Sequence, residues 1–303
     1  MSATDPMEIL IGGDMPVNRI GFGAMRLSAN GFRGPPRDAD VGRAVLRRAV
    51  ELGVNLIDTA AFYCSSDKTV RANALIREAL HPYPPNLLIA TKVGHIFDPD
   101  GSHRAASGVE MRKLVEENLV DLGLERLDLV YLRIGEMRPP HGESLAERFE
   151  ALAALREEGL IRHLGLSNVD VDHLSEARSI APVVAVQNHF HVAQRKDTVL
   201  LKACEADQIA FCPFFPLGGG MTAIDDGRLA VIARRHNATI HQIALAWLLA
   251  LSPVMIVIPG TASVAHLEEN VAATGIVLTE EDLAELSRVE SVSRIPSSRG
   301  QAA

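Results

Sequence analysis

The feature that most constrains this chain is a repeating alternation. A short apolar run is followed by a polar residue or turn, then by a helical stretch of roughly ten to fifteen residues. The runs predict strands at Ile20–Phe22, Leu56–Asp58, Leu87–Lys92, Leu127–Arg133, His163–Ser167, Val183–Asn188, Ile209–Pro213 and Met255–Pro259. Strands alternating with helices predict a parallel sheet covered by helices. Eight of them close a (β/α)8 TIM barrel, and 303 residues is a usual length for that fold. An open doubly wound sheet is the alternative. It is weakened at Gly21-Phe22-Gly23, which lacks the third glycine of a dinucleotide fingerprint and has no helix directly behind it. The first helix is capped by Asp38 or Asp40, carries Val41, Val45, Ala49 and Leu52 on one face, and ends at Gly53. Two later helical segments end in the same way, at Gly123 and Gly159. Met7–Ile11 and Pro16–Ile20 around Gly12-Gly13-Asp14 read as a short N-terminal β-hairpin that plugs one end of the barrel.

Composition narrows the functional classes. An apolar fraction of 47% excludes intrinsic disorder, and scattered Gly and Pro exclude a coiled coil. A net charge of −8 argues against nucleic acid or anionic membrane as a partner. Cys64, Cys204 and Cys212 match neither a disulfide framework nor a zinc site. Met1 to Leu10 lack the pattern of a secretory signal, and the most apolar run, Ile243–Leu251, is half the length of a membrane span. No low-complexity linker divides the chain. A single domain over residues 1–303 is therefore expected, as a soluble cytoplasmic monomer that acts on a small molecule.

Function is signalled by position. Polar or unusual residues fall at the carboxyl ends of nearly all predicted strands, the face on which barrel enzymes build their sites. They are Asp58, Lys92, Arg133, Ser167-Asn168, Gln187-Asn188, Phe214 and the turn Pro259-Gly260-Thr261, with Tyr63 on the loop beyond Asp58. A phenol titrates near 10 in water, about three pH units too high for efficient proton donation at neutral pH. An adjacent lysine ammonium would lower that value, and an aspartate beside the lysine would keep it charged. Such a trio can give a proton to a carbonyl oxygen while a hydride reaches the carbon. Ser167, Asn168 and Gln187 can hold a nicotinamide carboxamide, and Phe214 offers a face for its ring.

From Gly21 to Asn270 the chain resembles the aldo-keto reductase superfamily. The resemblance is carried by Gly21-Phe22-Gly23-Ala24-Met25, Asn55-Leu56-Ile57-Asp58-Thr59-Ala60, Tyr63, Thr91-Lys92-Val93, Gly165-Leu166-Ser167-Asn168, Val186-Gln187-Asn188 and Ile258-Pro259-Gly260-Thr261. It implies a cofactor, NADPH, with Tyr63 as general acid, Lys92 as its electrostatic partner and Asp58 as the lysine's counter-ion. Gly23, Ala24, Met25, Asp58, Pro216, Leu217, Pro259 and Gly260 fall in cofactor-binding positions of the family. Ser167, Asn168 and Gln187 match the carboxamide site, and Phe214 the ring-stacking position. Thr261, Ser263, His266, Glu269 and Asn270 match the segment that grips the adenosine end. The fourth catalytic position, usually histidine, is Arg133. The segment near the 2′-phosphate has Gly260 and His266 where Lys and Arg are common. Gly34-Pro35-Pro36-Arg37-Asp38, Leu132-Arg133, Pro213-Phe214-Phe215-Pro216-Leu217-Gly218-Gly219 and Ser263-Val264-Ala265-His266-Leu267 are most similar to bacterial pyridoxal reductases, which share the arginine.

Plainer readings stand beside these. A strand-end Asp more often caps a helix, Ser167-Asn168 can do the same, and Phe214 can be core. Gly218-Gly219-Gly220 reads as a loop tip and Cys64 as a space-filler. His189 and His191 have strand spacing for a metal, but no carboxylate falls at a matching strand end. Arg133 can instead anchor its loop on Glu136 or Glu143. Three functions compete: a carbonyl reductase for pyridoxal, a broad aldehyde or ketone reductase, and a cofactor-binding sensor with weak turnover. The trio Asp58, Tyr63 and Lys92 favours the enzymes, because a sensor has no need of a proton donor.

Overall fold

A computed structural model describes residues 7–32, 34–97, 102–136, 142–220, 224 and 227–289. Part of the loop Gly135–Ser144 and the tail Ser291–Ala303 lie outside these residues. The strands are β1 Glu8–Ile11, β2 Met15–Asn18, β3 Phe22–Gly23, β4 Leu56–Asp58, β5 Leu88–Val93, β6 His95–Phe97, β7 His103–Ala105, β8 Leu127–Arg133, β9 Ile161–Ser167, β10 Ala185–Gln187 and β11 Ala210–Phe211. Seven of them lie side by side in the order β3, β4, β5, β8, β9, β10, β11, and every pairing is parallel. The expected eighth strand, Met255–Pro259, forms only single parallel bridges, Phe211 to Met255 and Ile20 to Val257. Backbone bonds nevertheless run from end to end of this segment, with Phe211 N donating to Val254 O (2.8 Å) and Gly23 N to Pro259 O (3.3 Å). The bridges still close the curled sheet into the (β/α)8 barrel. Ile256 N donates to Phe211 O (2.9 Å) and Gly21 N to Val257 O (2.8 Å). The seam is tight: a Cβ on Gly260 would stand 2.4 Å from Gly23 O, and one on Gly23 2.8 Å from Ile258 O.

Alternation along each strand sorts residues into two layers. Ile57, Ile89, Val130, Leu132, Leu164, Leu166, Val186 and Phe211 point outward into the core beneath the helices. Leu56, Leu88, Ala90, Leu129, Tyr131, Ala185, Ala210, Cys212, Ile256 and Ile258 fill the barrel interior. The β1–β2 hairpin drives Ile11, Met15 and Val17 into the same interior cluster, so it plugs one end as expected. It is tied there by Asp14, which accepts from Arg162 (2.8 Å) and contacts His163 (2.6 Å).

The helix Ala39–Glu51 is capped by Asp38, whose carboxylate accepts from Asp40 N and Val41 N. Its buried stripe is Gly42, Val45, Leu46 and Ala49, while Val41 is 42% exposed. The expected stripe is thus turned by one residue. Gly42 has no side chain, and a Cβ there would meet Leu75 at 3.0 Å, so this is the side that approaches the next helix. Gly53, Gly123 and Gly159 all take positive φ at helix ends, as their positions predict. The antiparallel pair β6–β7 was not legible in the sequence. The residues of β6 are all half buried and those of β7 all exposed, so they carry no alternation to read.

Gly165 faces Tyr131 across the β8–β9 pairing, and a Cβ there would lie 2.6 Å from the tyrosine ring and 2.8 Å from Ala185 O. Gly165→Ala should therefore cost about 1–3 kcal/mol by overpacking the barrel interior. Thermal unfolding should show a Tm lower by several degrees, and an unchanged Tm would contradict this packing.

Candidate active site

Asp58 ends β4, Lys92 is the fifth of the six residues of β5, and both keep the inward parity of Leu56 and Leu88. The pairing of Asp58 with Ala90 leaves Lys92 one inward step higher. Its ammonium donates to Asp58 Oδ2 (2.6 Å) and to Thr59 O (3.0 Å), with both side chains buried. The other Asp58 oxygen accepts from Gln187 Nε2 (2.8 Å), reaching across the barrel from β10. Tyr63 follows on the loop, and the Lys92 ammonium lies 4.9 Å from the centre of its ring. Burial would lower the lysine's pKa, but Asp58 and then Tyr63 outweigh it and hold the ammonium above its usual value. For Tyr63 the balance falls differently from the expectation. Burial pushes the phenol above 10, and Lys92 and Arg133 only oppose that rise. The phenol is thus held protonated, with beside it a cation that would stabilise a phenolate.

Outward polar residues support this trio from behind, and sequence reasoning passed over them. Thr59 Oγ1 donates to Asn73 Oδ1 (2.8 Å), Asn73 Nδ2 to Asn118 Oδ1 (3.1 Å), and Thr91 Oγ1 to the same oxygen (2.7 Å). All four residues are buried. Their signal was the pair Thr59 and Thr91, polar residues at positions whose parity points into an apolar layer.

Arg133 ends β8 opposite Ser167 of β9. It donates to Ser167 Oγ (3.1 Å) and to the carbonyl of Glu136, and its guanidinium lies 4.6 Å over the Phe214 ring. The expected alternative of a carboxylate anchor is not what forms. Glu136 contributes its backbone oxygen, its carboxylate pairs with His103 (3.3 Å), and Glu143 pairs with Arg148 (2.5 Å). Among the described residues no carboxylate forms an ion pair with Arg133. Burial lowers its pKa to about 10, still charged at neutral pH, with Tyr63 and Asp58 opposing the shift.

Asn168 takes a left-handed backbone (φ 62°), its N–H donates to Gln187 O (2.9 Å) and its amide to Ile134 O (2.8 Å). Gln187 Oε1 is buried and unpartnered among the described residues. Phe214 is more occupied than expected, since His189 also stacks against it (5.4 Å, 10°). Burial and then Arg133 lower the pKa of His189 to about 4, so it is neutral at physiological pH. Among the described residues no group of three or more His, Cys, Asp or Glu is placed to hold a metal.

A cavity of about 190 Å³ opens beside the trio. Its lining joins Gly23 at the end of β3 and Met25 beyond it, Asp58 and Tyr63, Phe214 to Leu217 after β11, and Pro259 and Gly260. Ala24 is buried behind it, its N–H on Asp58 O (2.8 Å). Arg26 also lines the cavity and donates to Gly219 O, bridging two loops; without periodicity or a motif to mark it, sequence reasoning overlooked it. Farther along, Ser263 caps the helix Val264–Ala272, its hydroxyl accepting from His266 N (3.4 Å), and Thr261 Oγ1 accepts from Ser263 N (3.1 Å). The His266 side chain is exposed and Asn270 is buried. Glu269 is engaged from the other side, where its carboxylate accepts from Thr239 Oγ1 (2.5 Å).

A cleft at the carboxyl ends of barrel strands, with a buried lysine–aspartate pair and a protonated phenol, is the apparatus of carbonyl reduction. Residues 19–291 match the Aldo/keto reductase family, and the chain belongs to it. It is 45% identical over 280 residues to pyridoxine 4-dehydrogenase of Escherichia coli, covering 91% of this chain and 96% of that protein. It is also 42% identical over 275 residues to an uncharacterized oxidoreductase of Schizosaccharomyces pombe, covering 90% and 87%. The crystal structure of an aldo-keto reductase from Klebsiella pneumoniae in complex with NADPH superposes with a TM-score of 0.77 at 25% identity, covering 94% of this chain and 95% of that one.

A reaction that takes its proton from Tyr63 needs the phenol protonated, and burial holds its pKa above the usual value. The kcat/KM for carbonyl reduction should be level between about pH 6 and 9 and fall only as the pH rises past about 10. A fall centred near pH 7 would assign the proton to another group.

Proposed function

We propose that this enzyme is an NADPH-dependent reductase of small aldehydes, and that pyridoxal, reduced to pyridoxine, is its substrate. The observation that carries the reading is Arg133, a charged guanidinium beside Tyr63 with no carboxylate partner among the described residues. A charge desolvated in this way favours a ligand that brings an anion. Pyridoxal has a readily ionised ring hydroxyl next to its aldehyde. The similarity to pyridoxine 4-dehydrogenase supports the same choice.

The residues at hand suit a nicotinamide. Gln187 Oε1 is a buried acceptor in need of a donor, which a carboxamide NH2 supplies. Ser167 and Asn168 adjoin it, and Phe214 offers ring surface. Gly23, Ala24, Met25, Asp58, Pro216, Leu217, Pro259 and Gly260 would border the cofactor. Thr261, Ser263, His266, Glu269 and Asn270 would border its adenosine end. Bound there, the reduced cofactor supplies a hydride to the aldehyde carbon. Tyr63 donates its proton to the carbonyl oxygen, Lys92 stabilises the phenolate left behind, and Asp58 keeps Lys92 charged and in place. Arg133 holds the substrate's oxyanion so that the carbonyl meets Tyr63. The same reading takes residues 1–303 as one domain working as a cytoplasmic monomer. Cys64, Cys204 and Cys212 are all free and buried thiols, which suits a reducing compartment. Among the described residues no helix is long and apolar enough to cross a membrane.

Two substitutions test the roles. Tyr63→Phe should lower turnover by roughly 10²–10⁴-fold while NADPH affinity, followed by fluorescence quenching, stays the same. An active Tyr63→Phe enzyme would remove Tyr63 as the acid. Arg133→Met should lower kcat/KM for pyridoxal by about ten- to a hundredfold, and for a neutral aromatic aldehyde distinctly less. Equal losses on both substrates, with a lower Tm, would make Arg133 a loop anchor.

A further inference from the structure

Beyond Lys92 the chain leaves the barrel and turns back on itself as the β6–β7 pair. The turn out of β5 is made by Gly94 at φ +123°, where a Cβ would sit 2.2 Å from Arg133 O. This close approach sets His95, the first residue of β6, beside the end of β8. The imidazole stands edge-on to Phe62 (6.4 Å, 82°), and Phe62 stands edge-on to Tyr63 (5.1 Å, 83°). Phe97 packs on Phe62 (5.4 Å) and stacks with His103 (5.3 Å, 27°). His103 in turn pairs with Glu136, whose carbonyl holds Arg133. In a chain with only 4% aromatic residues, this concentration at one edge of the site is a local feature and not a sampling of the composition. Phe62, Tyr63, His95 and Phe97 are half buried and His103 is exposed; of these rings Tyr63 lines the cavity itself.

The chemistry of His95 is constrained. Burial, then the nearby Arg133 charge, lowers its pKa to about 4, so the ring is neutral. It hydrogen-bonds the backbone of Gly135. A neutral imidazole that spends its N–H on a carbonyl has an acceptor left on its other nitrogen. No other hydrogen bond to that ring is seen among the described residues.

We propose that His95 is a specificity-determining residue of the substrate site. With Phe97 it forms a wall that packs planar aromatic aldehydes, and its free nitrogen accepts a hydrogen bond from a hydroxyl carried on such a ring. Arg133 and His95 then divide the substrate between them, the guanidinium taking the oxyanion and the imidazole a neutral donor. This rests on the aldehyde-reductase reading above, and the substrates are chosen to keep the two apart.

The test is steady-state reduction of pyridoxal, of pyridine-4-carbaldehyde (a planar ring with no hydroxyl) and of propanal. His95→Phe, which keeps the wall and removes the acceptor, should raise KM for pyridoxal by about tenfold, leave its kcat within about twofold, and leave the other two substrates alone. His95→Gln, which restores an acceptor, should recover most of that loss. Phe97→Ala should raise KM for both ring aldehydes and spare propanal. NADP+ affinity, read by fluorescence quenching, should be unchanged in all three variants. A uniform effect of His95→Phe on the three aldehydes, or none on pyridoxal, overturns the proposal. If His95→Phe fails to fold, Phe97→Ala slowing propanal as much as pyridoxal overturns the proposal equally. A wild-type enzyme that reduces none of the three overturns the reductase reading itself, and this inference falls with it.

Discussion

The ion pair between Lys92 and Asp58 is the interaction on which the rest of the site depends. Two opposite charges lie 2.6 Å apart with almost no exposure to solvent. A buried pair recovers its desolvation cost only when geometry is good and the remaining polar atoms are satisfied. Here they are satisfied. Thr59 O takes a second lysine proton, and Gln187 donates to the second aspartate oxygen from the far side of the barrel. The pair therefore links β4, β5 and β10, and it fixes the place where Tyr63 can meet a cation. It also helps set the charge states of the two groups. Burial keeps the phenol protonated and Asp58 keeps the ammonium charged beside it, the arrangement on which the proposed proton transfer rests.

The barrel supplies the geometry. Strands that alternate sides with a period of two cannot place an apolar residue outward without placing the next one inward. Asp58, Lys92, Arg133, Ser167, Gln187 and Phe214 all share the parity of the interior positions Leu56, Leu88, Leu129, Gly165, Ala185 and Ala210. Lower interior positions hold apolar side chains packed on the β1–β2 plug. The uppermost hold the polar ones. One periodicity thus yields both a dry core and a polar rim, and the plug closes the opposite end so that only the rim meets solvent.

Much of this was legible. The strand ends, Asp38 as a helix cap, the glycines that end helices and the N-terminal hairpin all rest on local rules, and local rules act within a few residues of sequence. The misreadings have a common source. Val41 lies outside the buried stripe because the approach of Leu75 to Gly42 decides which side of that helix is covered. The eighth strand is reduced to two bridges, Phe211 with Met255 and Ile20 with Val257, whose partners meet only when the barrel closes. The Tyr63 phenol lies above its usual pKa, not below it, because desolvation is a property of the assembled cleft and outweighs the lysine. In each case a partner distant in sequence changes the outcome.

The sequence by itself determined the class of fold, the parity that turns six functional side chains inward, and the residue types available for proton transfer. Those follow from periodicity and side-chain chemistry, which are properties of short segments. The tertiary structure decided which groups touch. It gave Arg133 the Glu136 carbonyl in place of a carboxylate, spent one face of Phe214 on a guanidinium, left Gln187 Oε1 as a buried acceptor, and packed His95 and Phe97 on Phe62, which stands edge-on to Tyr63. Burial and the distance between charges exist only once the barrel closes, and these two quantities set the electrostatics of the site.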